Sequence, residues 1–201
     1  NKGGTEFAAE AAVIDWLGQR NLSDKKVHEL FMTQTDENGK RLLAALKGSG
    51  ARAANTLDRY DPKVVAGAFK KYLGDKEPLL GFNNFQRIKS IHNTGNDAKA
   101  YASLVQSMSQ NRQGILSHLF SLLTQLVSCG NMKPDKIAHV FGPVLLRPRT
   151  TTTDMMEMMM EVKMQKKVVE ALVNNAQTIF GGGGGAIHSP RAAAYSPRSG
   201  G

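Results

Sequence analysis

Apolar residues recur along this chain at intervals of three and four, the period of a helix, and no strand-length stretch alternates convincingly. Phe7, Ala11, Ile14 and Leu17 form a first stripe. Leu42, Leu43 and Leu46 form a second, which Gly48-Ser49-Gly50 should end. Asp61-Pro62 reads as a helix start, with Asp as N-cap and Pro in the first turn. The apolar face that follows is Val64, Val65, Ala68, Phe69, Tyr72 and Leu73, and Gly74 closes it. Phe82–Ile91 and Ala98–Met108 are two further helices. Asn111–Cys129 is apolar on so many sides that it belongs at the centre of the fold. After the break Gly130-Asn131-Met132, Pro134-Asp135 opens a helix that buries Ile137, Ala138, Val140 and Phe141 and should stop at Gly142-Pro143. Residues 155–180 read as one last helix carrying Met156, Met159, Met160, Val168, Leu172 and Ile179. The pattern predicts an all-α domain of about eight or nine helices over residues 5–180.

Residues 181–201, GGGGGAIHSPRAAAYSPRSGG, have a different composition. Consecutive glycines bury nothing and lose the most entropy on ordering, so this stretch is expected to be a flexible tail. Ser189 and Ser196 each precede Pro-Arg there, a pattern that suits proline-directed kinases. Net charge is +9; Arg191 and Arg198 lie in the tail, which leaves 9 − 2 = +7 on the domain. Such a balance favours acidic partners, whether protein, anionic lipid or nucleic acid. The lysines are dispersed and the aromatics few, which argues against nucleic acid. A single cysteine, Cys129, excludes an internal disulfide. The five histidines have no metal spacing, no nucleophile elbow occurs, and the glycine run lacks the Lys-Ser/Thr of a phosphate loop. No apolar run is long enough to cross a bilayer, and NKGGTEF has no signal-peptide pattern, so a cytoplasmic domain is expected. The methionines at 155, 156, 158, 159, 160 and 164 read either as an adaptable partner surface or as a helix packed on the core with some thioethers exposed.

Four segments, in order, resemble the RhoGAP domain, the helical module that binds Rho-family small GTPases and accelerates GTP hydrolysis. They are DPKVVAGAFKKYLGDKEPLL (61–80), NRQGILSHLFSLLTQLV (111–127), GNMKPDKIAHVFGPVLLR (130–147) and KVVEALVNNAQTIF (167–180). The resemblance implies a single helical bundle, an activator of another protein's GTPase rather than an enzyme, and no cofactor of its own. GTP and magnesium would belong to the partner. It places Lys70 in the GTPase-facing groove and Phe141-Gly142-Pro143 beside it.

The departures from the family pattern bear on the chemistry. The family carries an arginine finger in a loop after its first helix. Setting Leu30-Phe31 on the family's Ile-Phe puts Met32 at that position; an ungapped alternative from Leu22 puts Glu29 there. Gly74 stands where the family has an arginine that helps hold the finger loop, and Lys136 where it has an asparagine. Of these four positions only Lys70 keeps the family's residue. A finger is worth about 10³–10⁵ in rate, and a thioether supplies no positive fork. The expected function is therefore a pseudo-GAP signalling module that docks on a GTPase through a face including Lys70, Gly74, Lys136 and Pro143. One alternative is an active GAP using a displaced arginine, Arg41, Arg52 or Arg59. Another is a basic helical domain on anionic lipid or nucleic acid, with peripheral membrane contact.

Overall fold

The computed structural model describes residues 6–49, 52 and 55–181. Among them are nine α-helices and no strand: α1 (Ala8–Gly18), α2 (Glu37–Ser49), α3 (Pro62–Gly74), α4 (Phe85–Asn93), α5 (Ala98–Gln106), α6 (Gln110–Ser128), α7 (Pro134–Leu145), α8 (Met155–Asn174) and α9 (Ala176–Phe180). Short 3₁₀ turns at Lys25–Val27, Leu57–Arg59 and Phe82–Asn84 join them. Gly50 and the expected tail beyond Gly181, with Ser189 and Ser196, lie outside the described residues.

Local chemistry sets the helix starts. Asp61 accepts the Lys63 N–H at 2.8 Å with Pro62 at the first helical position, as its sequence suggests. Asp97 caps α5 through Lys99 N–H at 3.1 Å, and Asp154 caps α8 through Met156 N–H at 2.8 Å. Packing then fixes their arrangement. α6 is the central helix: Leu116, Leu119, Phe120, Leu123 and Leu126 are fully enclosed. α1 and α9 pack against α6, α2 against α3, and α7 lies between α3 and α8. Phe180, at the end of α9, stacks on Phe120 with centroids 4.4 Å apart, so the last helix is pinned to the centre.

Two expected boundaries are corrected. α7 does not stop at Gly142-Pro143 but runs to Leu145 with Pro143 inside it. The proline sits so near the C-terminus that few intrahelical bonds depend on it, and Leu146 N–H still reaches Gly142 O at 3.0 Å. Gly142 serves packing instead: a Cβ there would meet Gln165 and Lys166 of α8 at 3.4 Å, so the two helices touch backbone to backbone. The last expected helix is also two. Asn175, at φ −114° and ψ 20°, turns the chain between α8 and α9 and donates its side-chain amide to Ala171 O at 2.9 Å. Met155, Met156, Met158, Met159 and Met160 are exposed, and Met164 alone of that cluster is buried.

Candidate functional site

The loop joining the first 3₁₀ turn to α2 is where the expected site residues converge. Its anchor is Asn131, read from the sequence only as part of a polar break. Gly130, at φ +73°, turns the chain out of α6, a conformation that suits glycine, and this delivers Asn131 into the interior, where it is 2% exposed. Its amide donates to Leu22 O at 2.7 Å and Val27 O at 2.9 Å, and its side-chain oxygen accepts Leu30 N–H at 3.2 Å. Its backbone carbonyl accepts Glu29 N–H at 3.2 Å. One residue therefore satisfies polar groups of four others a hundred positions away. Each such bond contributes about 0.5–1.5 kcal/mol, and leaving a buried partner orphaned costs about 1–3 kcal/mol.

These bonds hold a strained backbone. Glu29 has φ +55°, uncommon for a residue with a side chain, and such outliers concentrate at functional sites. The next residues pack inward: Leu30 and Phe31 are fully buried, and Phe31 meets Phe141 of α7 edge-to-face with centroids 4.9 Å apart. The chain then reverses, with Met32 N–H on Glu29 O at 2.8 Å. Met32 emerges at the tip, 39% exposed.

A second set of ties comes from α3. Lys70 Nζ donates to Phe31 O at 2.9 Å and to Thr33 O at 3.3 Å, gripping the carbonyls on either side of Met32. Burial pushes its ammonium below the usual lysine range, so these two charge-assisted bonds replace water. Thr35 Oγ1 donates to Gly67 O at 3.2 Å one turn earlier. A Cβ at Gly67 would touch Thr33 O at 3.4 Å, so α3 and the loop run in direct contact. From α7, Lys136 Nζ pairs with the Glu29 carboxylate. That hydrogen bond is the main reason the Glu29 carboxyl lies below its ordinary range; the charges of Lys136, His28 and Lys63 act the same way.

The structure thus gathers Met32, Glu29, Lys70 and Lys136 around one turn, covering both alignments of the finger position. Gly74 is one helical turn beyond Lys70, and the space where its side chain would stand is open. Pro143 is exposed, two turns beyond Lys136 on α7. Arg147 donates to Pro143 O at 3.4 Å and to Lys76 O, and Leu80 N–H reaches Leu145 O at 3.2 Å, which fastens the 76–80 segment to the end of α7. Among the described residues none of the three candidate arginines bonds to this cluster. Arg41 is on the exposed side of α2, and Arg52 is exposed. The turn bearing exposed Arg59 is held to α1, where Asp58 accepts from Trp16 Nε1 at 2.8 Å and Arg20 at 2.7 Å. Among the described residues no arginine bonds to the 28–36 loop, and no group of His, Cys, Asp and Glu could hold a metal. No helix of the described residues is long and apolar enough to cross a membrane.

Sequence reasoning missed Asn131 and the Glu29–Lys136 pair. The signal for Asn131 was its place after a glycine and before a buried Met132, a polar residue surrounded by core.

Comparison with known proteins bears on this geometry. A family model described as RhoGAP domain matches residues 13–150. Mouse SH3 domain-binding protein 1 is 31% identical over 156 residues, 72% of this chain and 23% of that protein. Human Rho GTPase-activating protein 27 is 29% identical over 102 residues, 47% of this chain and 12% of that protein. The chain thus spans less than a quarter of the length of either relative. Two solved structures share the fold. The BH domain from Graf, the GTPase regulator associated with focal adhesion kinase, superposes with a TM-score of 0.71 at 22% identity, over 89% of this chain and 96% of that one. Human Rho GTPase activating protein 15 gives 0.68 at 23%, over 86% and 82%.

Proposed function

The chain belongs to the RhoGAP domain family, and from that premise we propose that it docks on a Rho-family small GTPase while stimulating GTP hydrolysis weakly or not at all. The docking face is the 28–36 loop with the exposed sides of α3 and α7, including Lys70, Gly74, Lys136 and Pro143. One observation carries this reading. The loop is tied from Asn131, Lys70, Thr35 and Lys136, and the residue those ties present is Met32, 39% exposed.

The chemistry follows from that tip. Phosphoryl transfer develops negative charge on the terminal phosphate, and a guanidinium inserted in trans neutralises it, lowering the barrier by roughly 4–7 kcal/mol for about 10³–10⁵ in rate. A thioether has neither charge nor N–H donor. Lys70 does not replace it, because its ammonium is already engaged with the loop's own carbonyls. Lys136 is likewise committed to Glu29. Docking is separable from chemistry, since an interface spread over two helices and a loop does not depend on one side chain.

Single-turnover GTP hydrolysis with a panel of Rho-family GTPases tests this directly. Stimulation below about tenfold, far short of what an inserted guanidinium gives, with retention of GTP-loaded over GDP-loaded GTPase on the immobilised domain, is the expected result. A thousandfold stimulation overturns it. Arg41→Ala, Arg52→Ala and Arg59→Ala would then show whether a displaced arginine was responsible.

A further inference from the structure

The start of α8 carries side chains that neither the fold nor the proposed docking face uses. Met164, Gln165, Val168, Val169 and Leu172 turn inward against the bundle. On a helical wheel the opposite side is Met155, Met156, Met159 and Met160, followed along the axis by Lys163, Lys166 and Lys167. The four thioethers are 77%, 73%, 59% and 65% exposed. Exposure that large on four neighbouring methionines exceeds what a scatter of surface apolar residues needs to explain.

Three features decide what covers this face. First, it stands clear of the bundle: every residue from Met155 to Met160 is exposed, and the helix is first buried at Met164. Neither the cavity between α1 and α6 nor the one among α6, α8 and α9 at the far end of α8 is lined by these residues. Turns that project in this way can enter a deformable surface. Second, its charge is predominantly of one sign. The acidic residues of the first turns, Glu157 and Glu161, continue the inward side of the wheel. The outward side carries three lysines, Lys163, Lys166 and Lys167, against one carboxylate, Glu170, which pairs with Lys167 at 3.0 Å. A second copy laid in register would set lysines against lysines. Third, unbranched thioethers conform to irregular apolar surroundings at little cost.

We propose that the outward face of α8 binds an anionic lipid surface, with Met155, Met156, Met159 and Met160 entering the acyl boundary and Lys163, Lys166 and Lys167 contacting lipid phosphates. This is the arrangement of an interfacial helix, apolar contact strengthened by cationic contact to acidic headgroups. It does not depend on the GTPase reading, because neither α8 face nor assay involves a GTPase.

Vesicle co-sedimentation tests it. The domain should pellet with phosphatidylserine–phosphatidylcholine vesicles and stay in solution with phosphatidylcholine alone, and binding should weaken as salt rises. Replacing the four methionines together by Gln, which keeps length and helix propensity, should weaken binding by about tenfold or more. Lys163→Gln/Lys166→Gln/Lys167→Gln should do the same and flatten the salt dependence. Thermal melts matching wild type show that each variant is folded, and the two variants are independent. Wild type remaining in the supernatant with both vesicle types overturns the proposal. So does a concentration-dependent dimer in sedimentation velocity, without vesicles, that the methionine replacements abolish, since that result assigns the face to a second copy.

Discussion

The 28–36 loop and the first turns of α8 are opposites. In the loop the backbone is fixed from every side, by Asn131 beneath, Lys70 and Gly67 from α3, and Lys136 from α7, yet the side chain at its tip has no chemistry to offer a phosphate. In α8 the backbone is an ordinary capped helix, and the side chains are abundant, exposed and unused by the bundle. The contrast separates two ingredients of a site. Position is set by hydrogen bonds and packing that reach across the fold; reactivity or affinity resides in the side chains so positioned. One ingredient can be lost while the other is kept.

Experiments that interchange the ingredients probe this contrast, and the largest effect should come from restoring chemistry where position already exists. Met32→Arg is expected to raise single-turnover hydrolysis of a retained GTPase by about 10³ or more. No gain would mean that the loop does not face the phosphate. Removing position instead should cost stability. Asn131→Ala strands the Leu30 N–H and two carbonyls in the interior, and should lower the urea-unfolding free energy by about 2–4 kcal/mol. Amide exchange at residues 29–32 should accelerate in the same variant.

The Glu29–Lys136 pair gives a smaller, pH-dependent effect. Because the folded carboxyl is held below its ordinary value of 4.5, its contribution is present above pH 4.5 and fades as pH falls through the folded value. Melting temperature followed from neutral pH into acid should therefore fall more steeply in wild type than in Glu29→Gln. Equal slopes would show that the pair contributes nothing. The smallest effect is expected at α8. The four exposed methionines replaced by Gln should change unfolding free energy by no more than about 0.5 kcal/mol, since neither burial nor propensity changes much. A large loss would reveal that those side chains are packed in solution.

Much of this fold could be read from the chain in advance. Periodicity located α1, α3, α6 and α7, and Asp61-Pro62 and Pro134 marked starts: Asp61 caps α3, and Pro134 is the first residue of α7, which has no side-chain cap. Stop signals proved weaker than starts. Pro143 is carried inside α7 because tertiary packing through Gly142 outweighs one missing N–H, and Asn175 breaks the last helix without a glycine or proline to announce it. The site was legible in its members but not its bonds. Lys70 and Lys136 were singled out, yet nothing in one dimension shows that Lys70 grips the carbonyls flanking Met32 or that Lys136 meets Glu29, 107 residues away. Asn131 was legible only as a turn residue, because what it does depends on partners more than a hundred positions upstream.

That separation has a kinetic side. The groups Asn131 satisfies lie 101 to 109 residues from it in sequence. Closing so long an intervening chain is entropically slow, and its reward comes only when both ends are in place. The ties from Asn131 are therefore expected to form late in folding, once α6 and the turn after it are in place. A fragment ending before residue 130 would keep the ties from Lys70 and Thr35 and lose those from Asn131 and Lys136.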